Sequence, residues 1–134
     1  MARTEARVAA MQLVYEDMLG GEGGDYTLLE LLGFSPSGDD MAYIGSVVQG
    51  VKENKPALDE RIEKYLVNWT MERLARVDLA ILRLATYEIL YREDIPDAVA
   101  IDEAVELSHA YSTDQAGPFI NGVLGNLTRA KESK

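Results

Sequence analysis

The stretch Val77-Asp78-Leu79-Ala80-Ile81-Leu82-Arg83-Leu84-Ala85-Thr86-Tyr87-Glu88-Ile89-Leu90-Tyr91-Arg92 decides how this chain folds. At about 100° per residue its apolar side chains leave no polar stripe, and a helix that is apolar all round is a buried helix. It holds sixteen residues with Arg83 and Glu88 inside, too short and too charged for a bilayer span, which takes roughly 20 apolar residues. The stretch therefore predicts the central rod of an all-α domain. A buried unpaired charge is costly. Arg83 and Glu88 must each find a partner on a neighbouring helix or reach a surface that another molecule uses.

Outward from the rod the helical period recurs. In a first helix over about Arg3 to Leu19, Val8, Met11, Tyr15 and Met18 share a face, while Glu5, Gln12 and Glu16 lie together away from it. Arg3 and Arg7, four apart, share one flank. Gly20-Gly21-Glu22-Gly23-Gly24 ends that helix, because glycine is costly to order. With no strand before it and no P-loop spacing, it reads as a loop and not as a phosphate cradle. A short helix over about Tyr26 to Leu32 stops at Gly33. Asp39 or Asp40 caps the next, whose stripe is Met41, Ile44, Val48 and Val51. Pro56 is expected to divide this from a further helix carrying Leu58, Ile62, Tyr65, Leu66 and Trp69, with Asn54 as its N-cap. Thr70 caps a short segment to Arg76, and the rod follows.

Beyond the rod, Glu93 to Asp97 is a proline-marked connection. Asp102 reads as the cap of a helix to about Tyr111, with Ala104, Leu107, Ser108 and Tyr111 on its inner arc. Thr113 or Asp114 opens the last helix, where Phe119, Ile120, Val123, Leu124 and Leu127 share one broad face. Gly122 and Gly125 sit behind it. Glycine in mid-helix costs about 1 kcal/mol relative to alanine, so the pair points to close approach of another backbone or a partner. No stretch alternates as a strand does. The pattern predicts an all-α chain of about seven helices around the buried rod, residues 77–92.

A chain of 134 residues is in the usual range for one domain with its own core. The sequence has no cysteine, which removes disulfides, thiolate metal sites and thiol nucleophiles and fits a cytoplasmic protein. Its opening residues carry no apolar targeting run. The formal net charge of −10 argues against nucleic-acid binding by the surface as a whole and favours a basic partner. That charge is uneven. Gly20 to Ser46 and Glu93 to Glu106 hold acids and no Lys or Arg, whereas the last five residues and the pair Arg73 and Arg76 lean basic.

Chemistry is sparse. The one histidine, His109, follows Ser108 directly, and neighbours on a helix point about 100° apart, so they form no dyad. His109 reads as a surface or partly packed helix residue. Asp39-Asp40 and Asp102-Glu103 sit at expected helix starts, where acids suit the dipole, and the His-Glu-x-x-His metal spacing is absent. No catalytic residue, metal ligand or cofactor site is predicted, and an enzyme is not expected.

The block Ile81-Leu82-Arg83-Leu84-Ala85-Thr86-Tyr87-Glu88-Ile89-Leu90 is followed by Ile95-Pro96, by Ala100-Ile101-Asp102-Glu103-Ala104-Val105-Glu106-Leu107 and by Phe119-Ile120-Asn121-Gly122-Val123-Leu124. With Ala6-Arg7 through Gln12-Leu13-Val14-Tyr15 near the start, the order and spacing of these blocks resemble the NusB family of bacterial transcription antitermination factors. The resemblance spans nearly the whole chain and is weakest from Gly20 to Asp40. It implies two helical bundles in a single domain, about residues 1–66 and about 67–130. It also implies a non-enzymatic role in the transcription elongation complex: binding the boxA element of nascent ribosomal RNA transcripts together with the ribosomal protein NusE. The chain departs from the family in three places. Relatives often carry an arginine-rich N-terminus for phosphate contact, and here only Arg3 and Arg7 remain beside Glu5. Asp102 stands where Asn is common. Gly117-Pro118 replaces positions that can be polar or basic.

On that reading Arg3, Arg7, Gln12 and Tyr15 of the first helix, with Phe119 and Asn121 of the last, mark the RNA side. Arg3 and Arg7 would touch phosphate, Gln12 base edges, and Phe119 would stack on a base. Tyr15 and Phe119 also lie on apolar stripes, so core packing competes with this role. Asn121 could equally make an inter-helix bond. Glu72 and Asp78, around the start of the rod, are the candidate partner contacts, against the simpler reading that they only suit helix starts. The rival function is a helical protein interaction module, in one form a homodimer that hides the first helix.

Overall fold

The computed structural model describes residues 3–19, 38–67 and 70–132. The helix predicted over Tyr26 to Leu32, the glycine run from Gly20 to Gly24 and Trp69 lie outside them. Among the described residues there are five α-helices and no strand: α1 (Arg3–Met18), α2 (Gly38–Lys64), α3 (Arg76–Tyr91), α4 (Asp97–Tyr111) and α5 (Ala116–Glu132). One 3-10 turn, Met71–Arg73, replaces the short segment expected before the rod.

Among the described residues the count is five, where about seven helices are predicted for the chain, and Pro56 accounts for part of the difference. It lies inside α2, on an exposed face, and does not divide it. A proline in a helix interior costs about 3 kcal/mol, and the turns beyond it supply the offset. Leu58 and Ile62 are fully buried. Asp59 accepts two hydrogen bonds of 2.7 Å from Arg83 of α3. Asn54 is no N-cap, because its side chain donates back to the Gly50 carbonyl at 2.8 Å. α4 starts at Asp97, five residues before the expected cap Asp102. Pro96, with φ −60°, provides the entry, and its carbonyl accepts the amides of Val99 and Ala100 at 3.0 and 3.1 Å. Asp102 consequently sits inside the helix, exposed.

α3 packs against all four other helices. Its residues from Leu79 to Thr86, with Glu88 and Ile89, are buried, as a helix without a polar stripe requires. α1 and α2 lie together against it, and α4 pairs with α5. Glycine at position 50 permits the α2 crossing, because a Cβ there would overlap the Tyr87 ring. The far end of the rod is clamped by Lys131 of α5, which donates to the Ile89 carbonyl at 2.7 Å and to Asp97 at 3.0 Å.

Candidate nucleic-acid and protein interface

Arg7 does not reach solvent. It is 3% exposed, and its Nε donates to both Glu88 oxygens at 3.1 Å while its Nη2 donates to Oε2 at 2.9 Å. Tyr43 donates its hydroxyl to Glu88 Oε1 at 3.0 Å, and its ring lies 5.7 Å from the Arg7 guanidinium carbon. Glu103, 3.9 Å from Nη1, also accepts from Thr4 at 2.9 Å. Burial by itself would lower the Arg7 pKa. The Glu88 hydrogen bonds and charge, helped by Tyr43 and Glu103, outweigh it and hold the pKa above its ordinary value. The expectation that Arg7 contacts phosphate is corrected accordingly. Its charge is committed to Glu88, and its work is to seat α1 on the rod. The Arg3 side chain lies outside the described residues.

Seated this way, α1 runs antiparallel to α3, and its C-terminal half reaches the start of the rod. Met11, Gln12, Tyr15, Glu16 and Leu19 there line a groove of about 520 Å³ with Val77 and Tyr111. Gln12 and Tyr15 are both half-buried, so the structure brings these two candidates together on one surface. Glu16 Oε2 is buried there without a hydrogen-bond partner among the described residues. Tyr111, expected on the inner arc of its helix, is instead 44% exposed at the end of α4.

A second groove, of about 330 Å³, holds Arg73, Asp78, Thr113, Gln115 and Phe119 among its lining residues. Val77 lines the first groove and Asp78 the second, so each groove takes one wall from the first turn of α3. Asp78 Oδ1 is buried and has no hydrogen-bond partner among the described residues. Glu72 is exposed on the 3-10 turn just before the rod. Phe119 is half-buried, packed on the core at one edge and facing the groove at the other. Asn121 is not brought to this place. Residues two positions apart on a helix are rotated by about 200°, so Asn121 faces another groove, beside Asp102, Glu106, His109 and Asp114. Arg73 and Tyr111 are lining residues that the sequence reading did not assign to the site. Local basicity had marked Arg73, but nothing in the pattern marked Tyr111.

Among the described residues no three His, Asp or Glu side chains gather as a metal site, and no helix is long and apolar enough to cross a membrane.

The pattern of the NusB family matches residues 4–129. This chain belongs to the NusB family. The transcription antitermination protein NusB of Clostridium novyi (strain NT) is 40% identical over 136 residues, covering 97% of this chain and all of that protein. The NusB structure from T. maritima superposes with a TM-score of 0.84 at 32% identity, covering 96% of this chain and 92% of that one. A chain from the crystal structure of antitermination factors NusB and NusE with double-stranded RNA superposes with a TM-score of 0.84 at 27% identity, covering 97% and 99%. The expected membership thus rests on comparisons that span nearly the full length.

Proposed function

We propose that this NusB-family chain acts as a transcription antitermination factor that binds the boxA element of nascent ribosomal RNA transcripts together with NusE, within the elongation complex. The observation that carries the reading is its near full-length likeness to a chain crystallised in a complex of NusB, NusE and RNA. The two grooves that each take a residue from the start of α3 support it. Gln12 offers hydrogen bonds to base edges, and Tyr15 and Phe119 offer ring faces, each stacked base being worth about 1–3 kcal/mol. Glu72 and Asp78 offer carboxylates to a basic protein partner, in keeping with a net charge of −10. Arg3, for phosphate, and Asn121, in its separate groove, complete the candidate set.

Fluorescence anisotropy of labelled boxA RNA tests this, titrated with the protein alone and then with an excess of NusE, against a scrambled RNA. Binding that is specific for boxA and tightens with NusE is expected. No preference over the scrambled RNA in either titration overturns the reading. Leu19 and Tyr111, 61% and 44% exposed around the apolar groove, favour the rival homodimer. Light scattering separates the two: a mass that rises with concentration supports the homodimer, and a constant monomer mass removes it.

A further inference from the structure

The charge pairing across the molecule singles out one turn. Arg7 is held by Glu88, Lys52 and Lys55 by Asp17, Arg83 by Asp59, Arg92 by Asp94 and Lys131 by Asp97. Among the described residues, Arg61, Lys64, Arg73 and Arg76 are the cations with no ion pair or side-chain hydrogen bond. They lie at the end of α2, on the 3-10 turn and at the start of α3. α2 and α3 pack antiparallel there, since Tyr43 meets Glu88, Gly50 meets Tyr87 and Asp59 meets Arg83, so all of these cations are at one end of the molecule. Arg73 and Arg76 are exposed. Arg73 lines the groove that holds Phe119. Arg76 directly precedes Val77, which lines the groove that holds Gln12 and Tyr15. Arg76 also opens a helix, where the partial positive charge of the helix end disfavours a cation. Local helix stability therefore gives no reason for it.

We infer that Arg73 and Arg76 are this chain's phosphate contacts, holding the RNA backbone between the two grooves in place of the buried Arg7. This rests on the proposed RNA-binding function and assigns its electrostatic part to residues that carry free charge beside the ring faces. Glu72 and Asp78 flank these arginines in sequence, one on the 3-10 turn and the other in the first turn of α3. A basic protein and the RNA would then meet along this stretch, each taking the charges opposite to its own.

The test is the salt dependence of boxA binding in the presence of NusE, for the wild type, for Arg73→Gln with Arg76→Gln, and for Lys55→Gln as a control. Each phosphate contact on single-stranded nucleic acid contributes about −0.7 to the slope of log affinity against log salt. The double variant should therefore lose about 1.4 from that slope, so that over a fourfold rise in salt the wild type weakens about sevenfold more. Lys55→Gln should keep the wild-type slope. If wild type binds boxA specifically and the double variant keeps its slope, this inference falls and the function stands. If the double variant weakens binding to NusE in the absence of RNA and leaves the RNA slope unchanged, the arginines belong to the protein interface and the inference is overturned. If wild type itself shows no preference for boxA, the function falls first and the inference with it.

Discussion

At Arg7 and Glu88 the desolvation of two ions is set against hydrogen bonds of 2.9 to 3.1 Å and a further donor from Tyr43. Such a pair adds little net stability compared with apolar packing, but removing one member leaves an uncompensated buried charge, at a cost of about 3–5 kcal/mol. Glu88→Gln is expected to lower the unfolding free energy measured in urea by an amount in that range. Glu88→Leu combined with Arg7→Met should lower it far less. The pair is not a pH switch on its arginine side. A cation whose pKa is raised on folding contributes its stability in full below its unfolded value and loses it only as pH rises through the folded one. For Arg7 that window is strongly alkaline, so its contribution is constant across neutral pH. From sequence, Arg7 was one of two arginines on a helix flank, and Glu88 was an acid in a greasy rod. Only docking of α1 on α3 makes them partners.

The helices differ in how far their local pattern could be read. The rod was legible because most of its residues are apolar, and the structure buries Leu79 to Thr86 with Glu88 and Ile89. Pro56 misled because the rule it breaks is local, whereas the contacts that carry α2 past it, Leu58, Ile62 and the Asp59 to Arg83 pair, are tertiary. The glycines divide similarly. Gly50 meets the Tyr87 ring, while a Cβ at Gly122 would find nothing within 4 Å. Glycine-to-alanine changes should consequently have opposite signs in urea unfolding. Gly50→Ala is expected to destabilise by about 1–3 kcal/mol through overpacking. Gly122→Ala should stabilise by about 0.4–1 kcal/mol through the restricted unfolded chain. A loss of stability in Gly122→Ala would show that its backbone is in use within the chain.

Across the whole molecule, a net charge of −10 makes the compact state repel itself. Screening shortens from about 30 Å at 0.01 M salt to about 8 Å at 0.15 M, so the melting temperature should rise by a few degrees over that interval in calorimetry. A fall would mean that the surface pairs of Asp17, Asp94 and Asp97 outweigh the repulsion. The sequence by itself determined the all-α class, the central rod, the family and the acidic balance. The class, the rod and the acidic balance follow from residue type and spacing along one helix or from a sum over the chain, and the family from a resemblance carried by blocks along nearly all of it. The tertiary structure decided which charges are committed and which are free. It also decided that Gln12 and Tyr15 share one groove, Asp78 and Phe119 a second, and that Asn121 faces a third. Those outcomes depend on the docking of helices distant in sequence, and the desolvation cost that pairs a buried ion arises only once the helices have met.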